Sequence, residues 1–227
     1  MSQDNEGKMK LSLLLAAALT IAPCFAEQVE FADTPFGTQT LILNGSIDVS
    51  AVQTGWYFED GTHDSTNPNY LTGFCDATCA DAGGFHSFFV FDIPDDLTIT
   101  SASLSLGNSG VGYNSPNSSE PLEMFDVSTP VSTLEASQSD ATGIYDDLGG
   151  GTMYGTTAVG AASDGNQVVV NLDAAAISAL NSAEGSDFAL GGTLGVNATE
   201  VSTVPEPSSV FLLATALGLG LFVRRPL

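Results

Sequence analysis

Apolar and polar positions alternate along much of the chain. In LTITSASLSL, Leu97–Leu106, the apolar residues Leu97, Ile99, Leu104 and Leu106 mostly alternate with Thr and Ser. That period of two is the signature of a half-buried strand. The denser run FHSFFVFDIP, Phe85–Pro94, reads as its neighbour, with Pro94-Asp95-Asp96 as the turn between them. Further strands are expected in TLILNGSIDVSA (Thr40–Ala51), LEMFDVS (Leu122–Ser128), QVVVNLD (Gln167–Asp173) and DFALGGTLGV (Asp187–Val196). Gly, Asn, Ser and Asp clusters separate them. One segment has helical spacing: DAAAISALNSAEG, Asp173–Gly185, opens on an Asp, sets Ile177 and Leu180 three apart, and ends near a Gly. No repeat is visible. The pattern predicts an all-β fold: one β-sandwich with one short crossover helix.

The two ends break this pattern. Lys8, Met9 and Lys10 precede the apolar Leu11–Ala22, and Pro23–Ala26 form an exit rich in small residues. A basic start, an apolar centre and a small-residue exit make a secretory signal peptide, with cleavage expected after Ala26. Met1–Lys8 is polar, so Met1 and Met9 are both candidate start positions. Lipidation at Cys24 is the rival processing route, which Pro23 disfavours. At the other end, Val210–Val223 is an uncharged run of 14 residues followed by Arg224 and Arg225. As a helix it would reach about 21 Å, against roughly 30 Å of bilayer hydrocarbon. The arginines fit a stop-transfer signal, so the run reads as a short transmembrane anchor. Three regions follow: an extension and signal peptide over 1–26, a β-sandwich domain over 27–203, and a tail over 204–227.

Charge sharpens the division. The four basic residues, Lys8, Lys10, Arg224 and Arg225, all lie in the two ends, whereas 24 of the 27 acidic residues lie between Glu27 and Thr203. The domain therefore has no Lys or Arg with which to form an ion pair. Nucleic acid is excluded as a partner, because phosphate binding rests on those residues. Divalent cations, basic surfaces and neutral polysaccharides remain compatible.

The tail VPEPSS, then an apolar run, then two arginines, resembles the PEP-CTERM sorting signal of Gram-negative bacteria, also called an ice-binding protein C-terminal domain. The resemblance covers Val204–Leu227. It implies export by the Sec machinery, a transient inner-membrane stage, recognition of Pro205-Glu206-Pro207 by an exosortase, and release to the cell surface or outside. Pro205 and Pro207 would hold the backbone extended, as a processing enzyme requires. The order of motifs in the body is more loosely similar to extracellular jelly-roll modules. Ice binding itself would need a flat, regular Thr array, and only TQT and TIT occur.

Signal removal leaves Cys75 and Cys79, in CDATC. In an oxidising compartment such a pair reads as a disulfide. The rival is a zinc site completed by His63 and His86, although their spacing fits no familiar finger. Calcium is the other candidate ion: the loop FEDGTHDSTNPN, Phe58–Asn69, carries Glu59, Asp60 and Asp64, with Asp76 and Asp81 near in sequence. No EF-hand pattern occurs and no ligand set is fixed. Catalysis has little support, since GNSG, Gly107–Gly110, is one glycine out of register for a nucleophile elbow. The sequence is read as non-enzymatic.

The aromatic cluster in TGWYFEDG, Thr54–Gly61, is the better lead. Trp56 and Tyr57, with Tyr70 beyond the loop, could stack on sugar rings. The plainer reading makes Trp56 and Phe58 core residues of one strand with Tyr57 outside. Two function classes follow: a non-catalytic surface or matrix protein of the exopolysaccharide or biofilm layer, and a carbohydrate-binding module that uses the Trp56 loop.

Overall fold

A computed structural model describes residues 29–33, 39–75, 82–108 and 112–195. The signal peptide, Pro205-Glu206-Pro207, Arg224 and Arg225 fall outside these. Strands come first: β1 (Val29–Asp33), β2 (Thr40–Leu43), β3 (Ile47–Ser50), β4 (Gln53–Phe58), β5 (Tyr70–Cys75), β6 (Gly83–Asp92), β7 (Ala102–Gly107), β8 (Tyr113–Asn114) and β9 (Glu120–Asp126). Helices α1 (Val131–Leu134) and α2 (Thr142–Leu148) precede β10 (Met153–Val159), β11 (Gln167–Asn171), α3 (Ala174–Ser182) and β12 (Asp187–Leu194). The fold is all-β, with two antiparallel sheets. The larger runs β10-β9-β12-β6-β5-β1-β8, with β4 also paired to β6; the smaller runs β11-β7-β2-β3.

β6 organises the larger sheet. Its residues 85–90 pair with β4 along one edge. The other edge is shared, with Gly83–Phe85 against β5 and Ser87–Asp92 against β12. Phe89 and Phe91 point toward the smaller sheet and join Leu122, Met124 and Leu190 against Leu41, Leu104, Leu106, Val168 and Val170. Phe88 and Val90 point the other way and are equally buried, with Tyr57 and Ala189, beneath Leu134 of α1 and Leu148 of α2. A strand covered on both faces is apolar at nearly every position, which explains the density of the Phe85–Pro94 run.

Three expectations change. Phe85–Pro94 and Leu97–Leu106 do not pair: β6 and β7 lie in different sheets, and the turn at Asp95-Asp96 carries the chain across the sandwich. Leu97–Ser101 is not strand, because side chains take over its backbone groups. Asn44 receives the N–H of Thr100 at 2.8 Å and donates to Thr98 O at 2.9 Å; Asn181 and Glu184 accept from the N–H groups of Ile99 and Leu97. Thr40–Ala51 is a hairpin of β2 and β3 and not one strand. Asn44 and Gly45 both have positive φ (51° and 71°), and Ser46 N–H closes the turn on Leu43 O at 3.1 Å. That Asn-Gly geometry matches the twist of the strands it joins.

The expected crossover helix is present as α3. Asp173 caps it by accepting from Ala175 and Ala176 N–H at 2.9 and 3.0 Å. Helices α1 and α2 are additional, so the expectation of a single helix fails. No helix among the described residues is long and apolar enough to cross a membrane.

Candidate functional site

β4 carries the aromatic residues, and its register decides their roles. Tyr57 faces the helical cover and is fully buried, with its hydroxyl donating to Leu134 O at 2.9 Å. Burial pushes its pKa up to about 12. Tyr70 is also core: its hydroxyl donates to Gly107 O at 2.6 Å, and its ring packs on Phe31 and Phe89. Neither phenol is available as a sugar platform, and the reading with Tyr57 outside is reversed. Trp56 and Phe58 are half-buried on the opposite face of β4. Both rings contact Phe85, at 5.3 and 5.1 Å between centroids. Among the described strands β4 pairs only with β6, so this stripe sits at the margin of the sandwich, with exposed Val52 at its end.

The acidic loop after β4 covers the strand's outer edge. Phe58 N–H donates to Thr62 O at 3.0 Å, and Thr54 Oγ1 donates to Pro68 O. Asp60 and Asp64 serve the loop itself, accepting from Thr62 N–H and from Thr66 N–H and Oγ1, whereas Glu59 reaches β6 and accepts from Gly84 N–H. Those hydrogen bonds from Thr66 hold Asp64 below the usual carboxylate range. Gly61, with φ at +83°, lies against the backbone of Ala141, where an added Cβ would be 2.0 Å from the Ala141 nitrogen. Only a glycine allows that approach. No group of three His, Cys, Asp or Glu among the described residues could hold a metal ion.

The two histidines are parted by the sheet's packing. His63 is 3% exposed, stacked on Tyr57 at 4.7 Å and edge-on to Phe88 at 5.3 Å. Its Nδ1 donates to Trp56 O at 2.9 Å, while Nε2 has no hydrogen-bond partner among the described residues. Its backbone pairs with Gln138, N–H to O in both directions. Burial lowers its pKa, partly countered by the Trp56 and Glu135 carbonyls and by Asp64. His86 lies parallel to the Tyr145 ring at 3.8 Å and donates from Nδ1 to Tyr145 O at 2.7 Å. Its pKa is lowered by burial, against the pull of that carbonyl and Asp146. Cys75 is disulfide-bonded. Cys79, Asp76 and Asp81 lie outside the described residues. His86 thus fastens the cover, whereas His63 ties its own loop to β4, and Cys75, His63 and His86 do not come together as a metal-ligand group.

A cleft of about 500 Å³ opens elsewhere, at the end of the sandwich where α3, the start of β12, α1 and the end of β9 converge. Asp126 and Asp187 line it with Tyr154, Val131, Ala179 and Ala183. Asp126 Oδ1 accepts from Thr152 N–H at 2.7 Å, which fixes the carboxylate. Tyr154 is 7% exposed and its ring lies nearly parallel to Phe188, at 6.3 Å. Burial raises its pKa, with the charges of Asp126 and Asp173 acting in the same sense. Sequence reading missed this cleft because its residues come from four separated segments with no common motif. No protein-family model, curated protein or solved structure matches the chain.

Proposed function

We propose that the protein is an exported, non-catalytic surface or extracellular-matrix component, with a jelly-roll-like body delivered through a PEP-CTERM-type tail. The observation that carries this reading is the partition of charge. Every Lys and Arg lies in the two ends, around an acidic body in which they are absent. A basic residue before an apolar run directs insertion, and basic residues after one halt translocation. The disulfide at Cys75 fits an oxidising destination, with Cys79 as its proposed partner. In this reading the Sec machinery exports the chain, the apolar run anchors it briefly in the inner membrane, and an exosortase acts at Pro205-Glu206-Pro207.

The test is cell fractionation with mass analysis of the C-terminus, in a host that has an exosortase. Replacing Pro205-Glu206-Pro207 by three alanines should leave export intact and trap uncleaved protein in the inner membrane. Deleting 210–227 should release a soluble periplasmic form. Mature exterior protein that still carries Arg224 and Arg225 would defeat the reading.

A second reading, carbohydrate binding, is favoured by one feature: the half-buried stripe of Trp56 and Phe58 against Phe85 at the margin of β4. Indole faces at a sheet margin suit the apolar faces of sugar rings. Polysaccharide pull-down that survives Trp56→Ala would remove it. A structural calcium ion is proposed only as an addition, detectable as a rise in melting temperature on adding calcium.

A further inference from the structure

We infer that His63 is an acid-operated clasp. Its neutral ring holds loop 59–69 and segment 135–141 against the outer edge of β4, and protonation expels the ring, so that loop and segment come away together while the sandwich stays folded. Two sets of contacts meet at this residue. Its backbone exchanges two hydrogen bonds with Gln138, at 3.1 and 3.0 Å. Beside that bridge, Ala141 N–H donates to Gly61 O and Ser65 N–H to Ser137 Oγ. Loop and segment are thus joined to each other, and the His63 ring pins the pair to β4 at the Trp56 carbonyl.

The pin holds only while the ring is neutral. A carbonyl accepts and never donates, so the neutral ring carries its proton on Nδ1, toward Trp56 O. Nε2 is then a bare lone pair, buried without a hydrogen-bond partner among the described residues, in a slot walled by Tyr57 and Phe88. A second proton would go there and place a charge in that slot, which is costly in apolar surroundings. The Trp56 and Glu135 carbonyls and the charge of Asp64 favour the imidazolium, but burial outweighs them. The other ionisable groups of the packed elements are Tyr57 on β4, neutral until about pH 12, His86 on β6, and Glu135 and Asp140 around Gln138. With its folded pKa below 6.5, the clasp is fully closed above that pH and is lost as pH falls toward the folded value. Across that interval the open form gains about tenfold per pH unit, the effect of one proton. The device needs neither the tail nor the Trp56 stripe, so its failure would leave the proposed function standing.

Hydrogen exchange of the purified protein from pH 7 to 5, in EDTA, tests the inference, read as protection factors so that the pH dependence of exchange itself cancels. The amides of His63, Ser65 and Gln138 should lose about tenfold or more of their protection, and those of β7 and β12 should keep theirs. His63→Gln keeps a donor for Trp56 O and should lose this response, whereas His86→Gln should retain it. A nuclear magnetic resonance titration of the unmutated protein decides the matter even where a variant does not fold. A folded His63 pKa at or above 6.5, a protonated His63 whose amides stay protected, or the same response in His63→Gln would each overturn the inference.

Discussion

The larger sheet has a hydrophobic layer on each face, and the two are held by different means. On the inner face, Phe89, Phe91 and Leu190 meet the side chains of a second sheet, and the ladders on both sides hold them in place. On the outer face, Phe88, Val90 and Tyr57 are covered by segment 127–148, whose helices are four and seven residues long. Helices that short have little stability of their own. Polar side chains add to the buried contacts of the cover: Tyr57 to Leu134 O and His86 to Tyr145 O tie it to the sheet, and Asp147, accepting from the N–H and hydroxyl groups of Ser128 and Thr129, ties its two ends together. The inner layer rests chiefly on buried area between two ladders, and the outer one on buried area together with specific hydrogen bonds to short helices.

The largest effects should come from cavities in either layer, and their reach should differ. Phe89→Ala should lower global stability by about 3–5 kcal/mol, and Leu148→Ala by about 2–5 kcal/mol at most. Hydrogen exchange separates the cases. Phe89→Ala should speed exchange throughout, whereas Leu148→Ala should expose amides of 131–148 first and spare β6 and β12. Identical exchange patterns would show that the two layers unfold as one unit.

Tyr57→Phe tests the fastening more gently. It removes one hydroxyl and leaves the Leu134 carbonyl without that donor, at a cost of about 1–3 kcal/mol. Urea unfolding should show the loss. A change below about 0.5 kcal/mol would mean that packing of the ring, and not the hydrogen bond, holds α1.

These two layers also divide what the sequence made legible. The inner layer was readable because Leu104 and Leu106, or Val168 and Val170, alternate with polar neighbours. The Asp173 cap and the run after it announced α3. The outer layer was not readable. Val131 with Leu134, and Ile144 and Tyr145 with Leu148, do have helical spacing, but over four and seven residues the period is too short to mark α1 or α2. A strand with one buried face would send Tyr57 to solvent, but β4 has a cover on the Tyr57 side and a partly exposed stripe on the other. The turn at Asp95-Asp96 was legible as a turn, but not which sheet the next strand would join. That choice depends on Asn44, Asn181 and Glu184 satisfying the backbone of 97–101 from distant segments.

Acid should loosen the outer layer before the inner one. His63 and His86 both have pKa values lowered by burial from 6.5. Their contribution is complete above about pH 6.5, where both states are neutral, and is lost as pH falls toward the lowered folded values. Asp147 acts lower down. Burial would raise its pKa, but the hydrogen bonds from Ser128 and Thr129 prevail and hold it below 3.8. Its contribution is present above that value and disappears below it. Glu135 works in the opposite sense: burial and the charge of Asp187 raise it above 4.5, so protonation relieves it. Stability should therefore decline from pH 7 to 5, with 131–148 losing exchange protection first. His63→Gln should flatten that decline. An unchanged slope in this variant would assign the loss to His86.

The smallest effect belongs to the inner layer's edge. Gly45 turns the β2–β3 hairpin with φ at +71°, and nothing lies within 4 Å of an added Cβ. Gly45→Ala therefore meets only the backbone cost of the left-handed region, about 1–2 kcal/mol for a residue with a Cβ. Part of this is offset because alanine restricts the unfolded chain. A net loss of about 1 kcal/mol in urea unfolding is expected, with an unchanged slope. Asn44 should hold the turn in place, since its side chain is tied to Thr98, Thr100 and Ser101. A loss above about 3 kcal/mol, or a changed slope, would mean that the turn sets the register of β2 against β7. The inner layer would then rest on a local hydrogen-bonded device much as the outer one does, and the contrast between them would fail.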